Sequence, residues 1–209
     1  MKIITLFIIL AACQLCFADG DTNIIAMSDW SKPVSYIEAG QQYGSIIRGR
    51  LIIQKGGYSP RYGGPTPEIA VYVELQNVSR DSCELFFDDV QGLRCEFTKA
   101  DGIIYNPTRG GGNGYGNGGG PVTTRSWVIL PEDSCIRLRA NKGGVLNDQY
   151  FGISLYSAQW YIRAGDTNDY YLSGTLTASS PTNHVMSPNT KVWQGTLTFP
   201  KIKISYPRQ

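Results

Sequence analysis

The chain has 209 residues, of which 17% are charged, with 24 glycines, 13 tyrosines and a net charge of +2. That length gives one domain with a sizeable core or two small ones, and the glycine-rich, charge-poor profile belongs to a turn-rich β protein. The near-even balance of 19 basic and 17 acidic side chains removes the electrostatic case for a nucleic-acid partner or an anionic lipid surface.

The first predicted element is MKIITLFIILAACQLCFA, residues 1–18, with one charge at Lys2, an apolar run from Ile3 to Ala12 and a small residue at Ala18. It reads as a secretory signal peptide and is too short for a membrane span, which takes ~20 apolar residues. Two processing outcomes compete. Leu10-Ala11-Ala12-Cys13 resembles a bacterial lipobox, which would place a lipid anchor on Cys13. Cys16 and Ala18 instead occupy the small-residue positions of an ordinary cleavage site, and the run before Cys13 is short for a signal core; both features favour cleavage after Ala18. No later apolar stretch reaches spanning length, so the expected mature protein, 19–209, is secreted or periplasmic.

A polar lead-in over 19–32 precedes a domain core of about 44–206 built from alternating segments. In PEIAVYVELQNVS, Ile69, Val71, Val73 and Leu75 share one parity, while Tyr72, Glu74 and Gln76 share the other. Period two marks a strand with one buried face. DYYLSGTLTAS repeats it with Tyr170, Leu172, Leu176 and Ala178 inward; WQGTLTF does so with Trp193, Leu197 and Phe199. Pro200 interrupts the last run, and Ile202 and Ile204 resume on the opposite parity, which predicts a bulge or bend. Weaker strand signals lie at 46–54, 83–88, 93–99, 122–130, 135–140 and 150–156. No window shows a helical apolar stripe, and the 56–67 and 178–189 stretches read as long loops. The expected fold is a single antiparallel β-sandwich.

Three cysteines follow the signal. If 83–88 and 93–99 form a hairpin through Asp89-Val90, Cys83 stands opposite Cys95 on the core face, close enough for a disulfide. Cys135 shares its parity with Arg137 and Arg139 and reads as the leftover thiol, free or joined to another chain. A Cys95–Cys135 bridge, or three unbridged apolar fillers, stay open as alternatives.

Residues 109–120, RGGGNGYGNGGG, formally contain GxGxxG at 114–119. That motif holds a dinucleotide only between a strand and a helix N-terminus, and here Pro121 and a β-like run follow. The segment therefore reads as a flexible tip, with Tyr115 its one functional candidate. Tyr58 and Tyr62, in the other Gly/Pro-rich loop, are candidates of the same kind, because exposed aromatics can stack on a sugar ring or an apolar patch; folding back as lids on the sheet ends is the alternative. The single histidine, His184, lies in no catalytic motif, and no metal-ligand cluster is evident, so no cofactor and no catalytic residue is assigned. Asp166-Thr167-Asn168-Asp169 reads as a polar hairpin turn after Gly165 rather than a calcium loop. A carboxylate pair for glycoside hydrolysis could be drawn from Asp88, Asp89, Glu132, Asp133 or Asp148, though nothing in one dimension selects it. Asn77-Val78-Ser79 is the one glycosylation sequon, but Asn77 shares the buried parity of its strand and fits a strand-ending amide that satisfies backbone groups.

In chain order, VYVELQNVS, FFDDVQGLRCEFTKADG, WVILPEDS, YIRAGDTNDYYLSGTL and WQGTLTFPKIKI resemble the immunoglobulin- or fibronectin-like domains of secreted bacterial proteins. They also resemble the sandwich of the intracellular proteinase inhibitor family. The resemblance covers about 69–205 and departs at Pro131-Glu132-Asp133, where glycine usually follows the proline, and at the inserted glycine loop. It implies an immunoglobulin-like fold and an extracytoplasmic binding or accessory role; no inhibitory residue carries over. The expected function is thus non-enzymatic binding of a protein or glycan through the end loops. A polysaccharide-acting enzyme and a structural assembly subunit are the alternatives.

Overall fold

The computed structural model describes residues 23–38, 41–58, 67–88, 93–105, 125–140, 143–155, 158–178 and 193–206. Among them there is no helix, and every strand pair is antiparallel. The strands are β1 (Ile24–Met27), β2 (Val34–Glu38), β3 (Gln41–Tyr58), β4 (Pro67–Asn77), β5 (Cys83–Asp88), β6 (Leu93–Lys99), β7 (Arg125–Leu130), β8 (Cys135–Arg139), β9 (Gly143–Leu146), β10 (Tyr150–Leu155), β11 (Ala158–Arg163), β12 (Tyr170–Ala178) and β13 (Gly195–Ile204). A large sheet runs β1-β3-β4-β9-β10-β11, with β2 added to β3 and β8 to β4. A second sheet is β13-β12-β6, and β5 and β7 form a separate pair.

One hydrophobic core joins all three sheets, and the period-two patterns supply it. Ile69, Val71, Val73 and Leu75 of β4 are buried, as are Tyr170, Leu172, Leu176 and Ala178 of β12. Along β13 the buried set changes parity from Leu197 and Phe199 to Ile202 and Ile204. The pairing slips there: Leu172 faces Ile202 but Gly174 faces Phe199, so one extra residue sits at Pro200-Lys201. A proline has no N–H to lose from the ladder, which is why the bulge falls there. Gly49 lets the two larger sheets meet closely; a Cβ at that position would lie 2.7 Å from the Phe199 ring.

Charge fixes register on the outer face of the large sheet. Glu74 is buried to 3% exposure between its two cross-strand partners, Arg50 of β3 and Arg137 of β8. Its Oε2 accepts from Arg50 Nε, and its Oε1 accepts from Arg137 Nε at 2.8 Å. Trp30, in the β1–β2 connection, stacks under the guanidiniums of Arg48 and Arg50, 4.8 and 4.4 Å from its ring centre.

The expected hairpin between 83–88 and 93–99 does not form. β5 pairs with β7, placing Cys83 opposite Leu130, and β6 pairs with β12, placing Cys95 opposite Gly174. Strands adjacent in sequence have gone to different sheets, because β12 offers β6 a buried face of matching parity: Leu93 faces Leu176 and Phe97 faces Leu172. No disulfide joins Cys83 to Cys95. Burial pushes both thiols up to about 12, for Cys83 with help from the Glu84 charge, so neither is a nucleophile near neutral pH. Cys135 is half-buried opposite Gln76, on the face of β8 shared with Arg137 and Arg139, while Ile136 and Leu138 pack against the core.

Asn77 ends β4 fully buried. Its Nδ2 donates to the carbonyls of Asp81, Leu130 and Pro131 at 2.7, 3.0 and 3.1 Å, and its Oδ1 accepts from the Ser79 N–H and hydroxyl. One side chain therefore ties the β4–β5 connection to the end of β7. Replacing Asn77 by Ala should leave these carbonyls without their donor and cost roughly 2–3 kcal/mol. Urea unfolding of Asn77→Ala beside the parent checks this; a midpoint unchanged within error would show that the network is dispensable.

Candidate functional site

Strands β10 and β11 form a ribbon in which Tyr150 faces Arg163, Gly152 faces Tyr161 and Ser154 faces Gln159. Cross-strand partners share a face. These residues line the outer side, while Phe151, Ile153, Trp160 and Ile162 are buried on the inner one. Gly152 leaves the space that the Tyr161 ring fills: a Cβ there would lie 2.9 Å from Tyr161 Cε1 and equally near Val145. Tyr150 meets the Tyr161 ring edge-on, with centroids 6.1 Å apart.

Tyr105 closes the site from the other sheet. Past β6 the chain turns through Gly102, with a φ of 82°, and returns so that Ile104 bridges to Thr98. The Tyr105 N–H then donates to Phe97 O at 2.7 Å. Its hydroxyl donates to Tyr161 O at 3.0 Å, and its own carbonyl accepts from Trp160 Nε1 at 2.9 Å. Two reciprocal hydrogen bonds thus fasten this segment to β11. Below it, Phe97 stacks on Trp160 and on Tyr170 at 5.7 and 5.6 Å, and Tyr105 tilts against Tyr170 at 5.2 Å.

The result is a cleft of about 570 Å³ lined by Tyr105, Tyr150, Tyr161, Arg163 and Asp166. Asp166 follows Gly165, whose φ of 80° turns the chain from β11 toward β12. This is a corner between sheets, not the hairpin expected from DTND. Asp166 Oδ1 accepts from the N–H and side-chain amide of Asn168, and Oδ2 accepts from Tyr170 Oη at 2.7 Å. Partial burial opposes the carboxylate's charge, but the hydrogen bonds from Asn168 and Tyr170 and the charge of Lys99 hold its pKa below the ordinary value. Tyr170 moves the other way: burial first, then its bond to Asp166 and that group's charge, push its hydroxyl up to about 12.

Tyr58 ends β3 opposite Pro67, and Tyr62, Tyr115 and His184 lie outside the described residues. Of the carboxylates considered for hydrolysis, Glu132 and Asp133 are exposed in the β7–β8 turn, where Asp133 takes a φ of 52°, and Asp148 is exposed between β9 and β10. Asp89 lies outside the described residues. The cleft tyrosines sit on strands or beside them; the run of aromatics from Tyr150 to Tyr171 is a trace of two of them in the sequence, but it does not tell which side chains share a face.

The Tyr170–Asp166 bond gives the site an alkaline limit. A hydroxyl raised in the folded state contributes stability fully below its ordinary value of 10 and loses it as pH rises through about 12. Tyr170→Phe should therefore show a shallower fall in unfolding midpoint between pH 10 and 12 than the parent; identical slopes would place the alkaline loss elsewhere.

No protein-family model matches this chain, and no curated protein and no solved structure matches it. The cleft is read from its own chemistry.

Proposed function

We propose that the mature chain is a secreted, non-enzymatic binding domain whose immunoglobulin-like β-sandwich presents the tyrosine cleft to a glycan. The carrying observation is the set of three tyrosines lining one concavity, with two of their hydroxyls committed to the protein: Tyr105 to Tyr161 O, and Tyr161 to Gln159 Oε1 at 2.9 Å. Rings held this way lose little freedom on binding. Their flat apolar faces suit the C–H face of a pyranose. A volume of about 570 Å³ is the scale of a small-ligand pocket, whereas a stable protein interface spreads over roughly 800 Å² per partner. Asp166 argues for binding over hydrolysis: with a lowered pKa and three donors already on it, it is poorly suited to act as a general acid.

A panel of neutral and acidic oligosaccharides titrated calorimetrically tests the reading. At least one should bind, and Tyr150→Ala with Tyr161→Ala should weaken it tenfold or more while circular dichroism stays unchanged. Binding that survives the double substitution, or no saccharide bound by the parent, would refute the cleft. Whether the loops add to the contact is a separate measurement, on a chain lacking residues 110–119 with Tyr58 and Tyr62 replaced.

Release beyond the membrane is part of the same proposal. The intact mass of the mature protein should correspond to a chain beginning at Asp19; a lipid-modified Cys13 at the N-terminus would make it membrane-tethered instead.

A further inference from the structure

The polar groups of the cleft are unevenly used. Asp166, the carboxylate among its described lining residues, already accepts from the Asn168 N–H at 2.9 Å, the Asn168 amide at 2.7 Å and Tyr170 Oη at 2.7 Å. The hydroxyl protons of Tyr105 and Tyr161 are likewise committed. Arg163 differs. Its side chain, exposed at the end of β11 and lining the cleft beside Tyr150, has no hydrogen bond or ion pair with any described residue. Cations elsewhere in the fold are paired: Arg50 and Arg137 with Glu74, Arg139 with Glu68, and Lys203 with Asp169. Behind the lining residues, Lys99 Nζ lies 6.0 Å from the Tyr105 ring centre and its charge offsets that of Asp166. What the cleft still offers a ligand is therefore a planar fork of N–H donors and positive charge, set beside aromatic faces.

We infer that the ligand is a pyranose bearing a carboxylate, with its ring against Tyr161 and Tyr150 and its carboxylate on the Arg163 guanidinium. This rests on the glycan-binding reading above and specifies its ligand class. A carboxylate presents two coplanar oxygens that a guanidinium engages with two parallel hydrogen bonds, a match that neither a neutral sugar nor a lysine reproduces. Two of the five guanidinium donors would find in it the coplanar acceptors that no described residue gives them. A ring carboxylate of a uronic acid and the carboxylate of a terminal sialic acid share this chemistry.

Trigalacturonate and 3′-sialyllactose, each titrated beside its own methyl ester, test the inference, because esterification removes the charge and little else. At least one acid should bind the parent tenfold or more tightly than its ester, and which one does so identifies the source. Arg163→Gln should bring acid and ester within about twofold of each other. Arg163→Lys should restore only part of the preference. Equal binding of acid and ester by the parent, with Tyr161→Ala abolishing both, would overturn the carboxylate assignment and leave the glycan reading standing. A preference that persists in Arg163→Gln overturns it as well. A parent that binds neither the acids nor the esters, nor any sugar of the wider panel, brings down both.

Discussion

The aromatic node at the seam of the two larger sheets organises this molecule. Phe97 comes from β6, Tyr170 from β12 and Trp160 from β11, and their rings meet at 5.6–5.7 Å. Each such pair contributes about 0.5–1.5 kcal/mol beyond the area it buries. The node also sets the cleft. Trp160 points inward from β11, so its neighbour Tyr161 must point outward, and the Trp160 indole N–H holds the carbonyl of Tyr105 on the facing wall. Burial on one side of a strand thus dictates the display on the other.

Charge does a different task in the fold. Glu74 lies directly between Arg50 and Arg137 on adjacent strands. A slip of β4 by one residue would turn Glu74 toward the core, away from both arginines, and lift Ile69, Val71 and Val73 out of it. A buried ion triad of this kind adds little net stability over apolar packing, since desolvating the ions offsets most of their attraction. Its contribution here is to penalise the wrong pairing of β3, β4 and β8. The cleft, by contrast, is built from neutral rings and two charges that are not paired with each other.

The long amphipathic strands were legible in the sequence because one face of each is buried. β4 and β12 follow their parity closely, and the Pro200 bulge was visible as a change of phase. Cys83–Asp88 and Leu93–Lys99 were placed correctly as strands yet wrongly as partners, since alternation records which face is buried and not which strand lies alongside. β1, β2, β9 and β11 escaped for other reasons. β1 and β9 have four residues each, too few to display a period, and GGVL of β9 carries two glycines that read as a turn. Gly144 packs against Ile69 and the Gly152 carbonyl, where any Cβ would collide, a contact that exists only once the sheet has formed. The cleft was illegible for a related reason. Tyr150 and Tyr161 look like ordinary outward residues until the β10–β11 register places them diagonally on one face, and Tyr105 joins them from the segment that follows β6.

That origin bears on what the site can do. Aromatics on pliable loops adapt to a partner at an entropic cost, whereas here Gly152 lies beneath the Tyr161 ring, the Tyr161 carbonyl and the Tyr170 ring hold Tyr105, and Tyr150 rests edge-on against Tyr161. A rigid wall of this kind selects by shape and pays little to bind. Its committed hydroxyl protons leave few ways to recognise the pattern of a neutral sugar's hydroxyls, so stacking alone would give broad and shallow affinity. The exposed guanidinium at the end of β11 is the group whose placement can convert that general platform into a selective one.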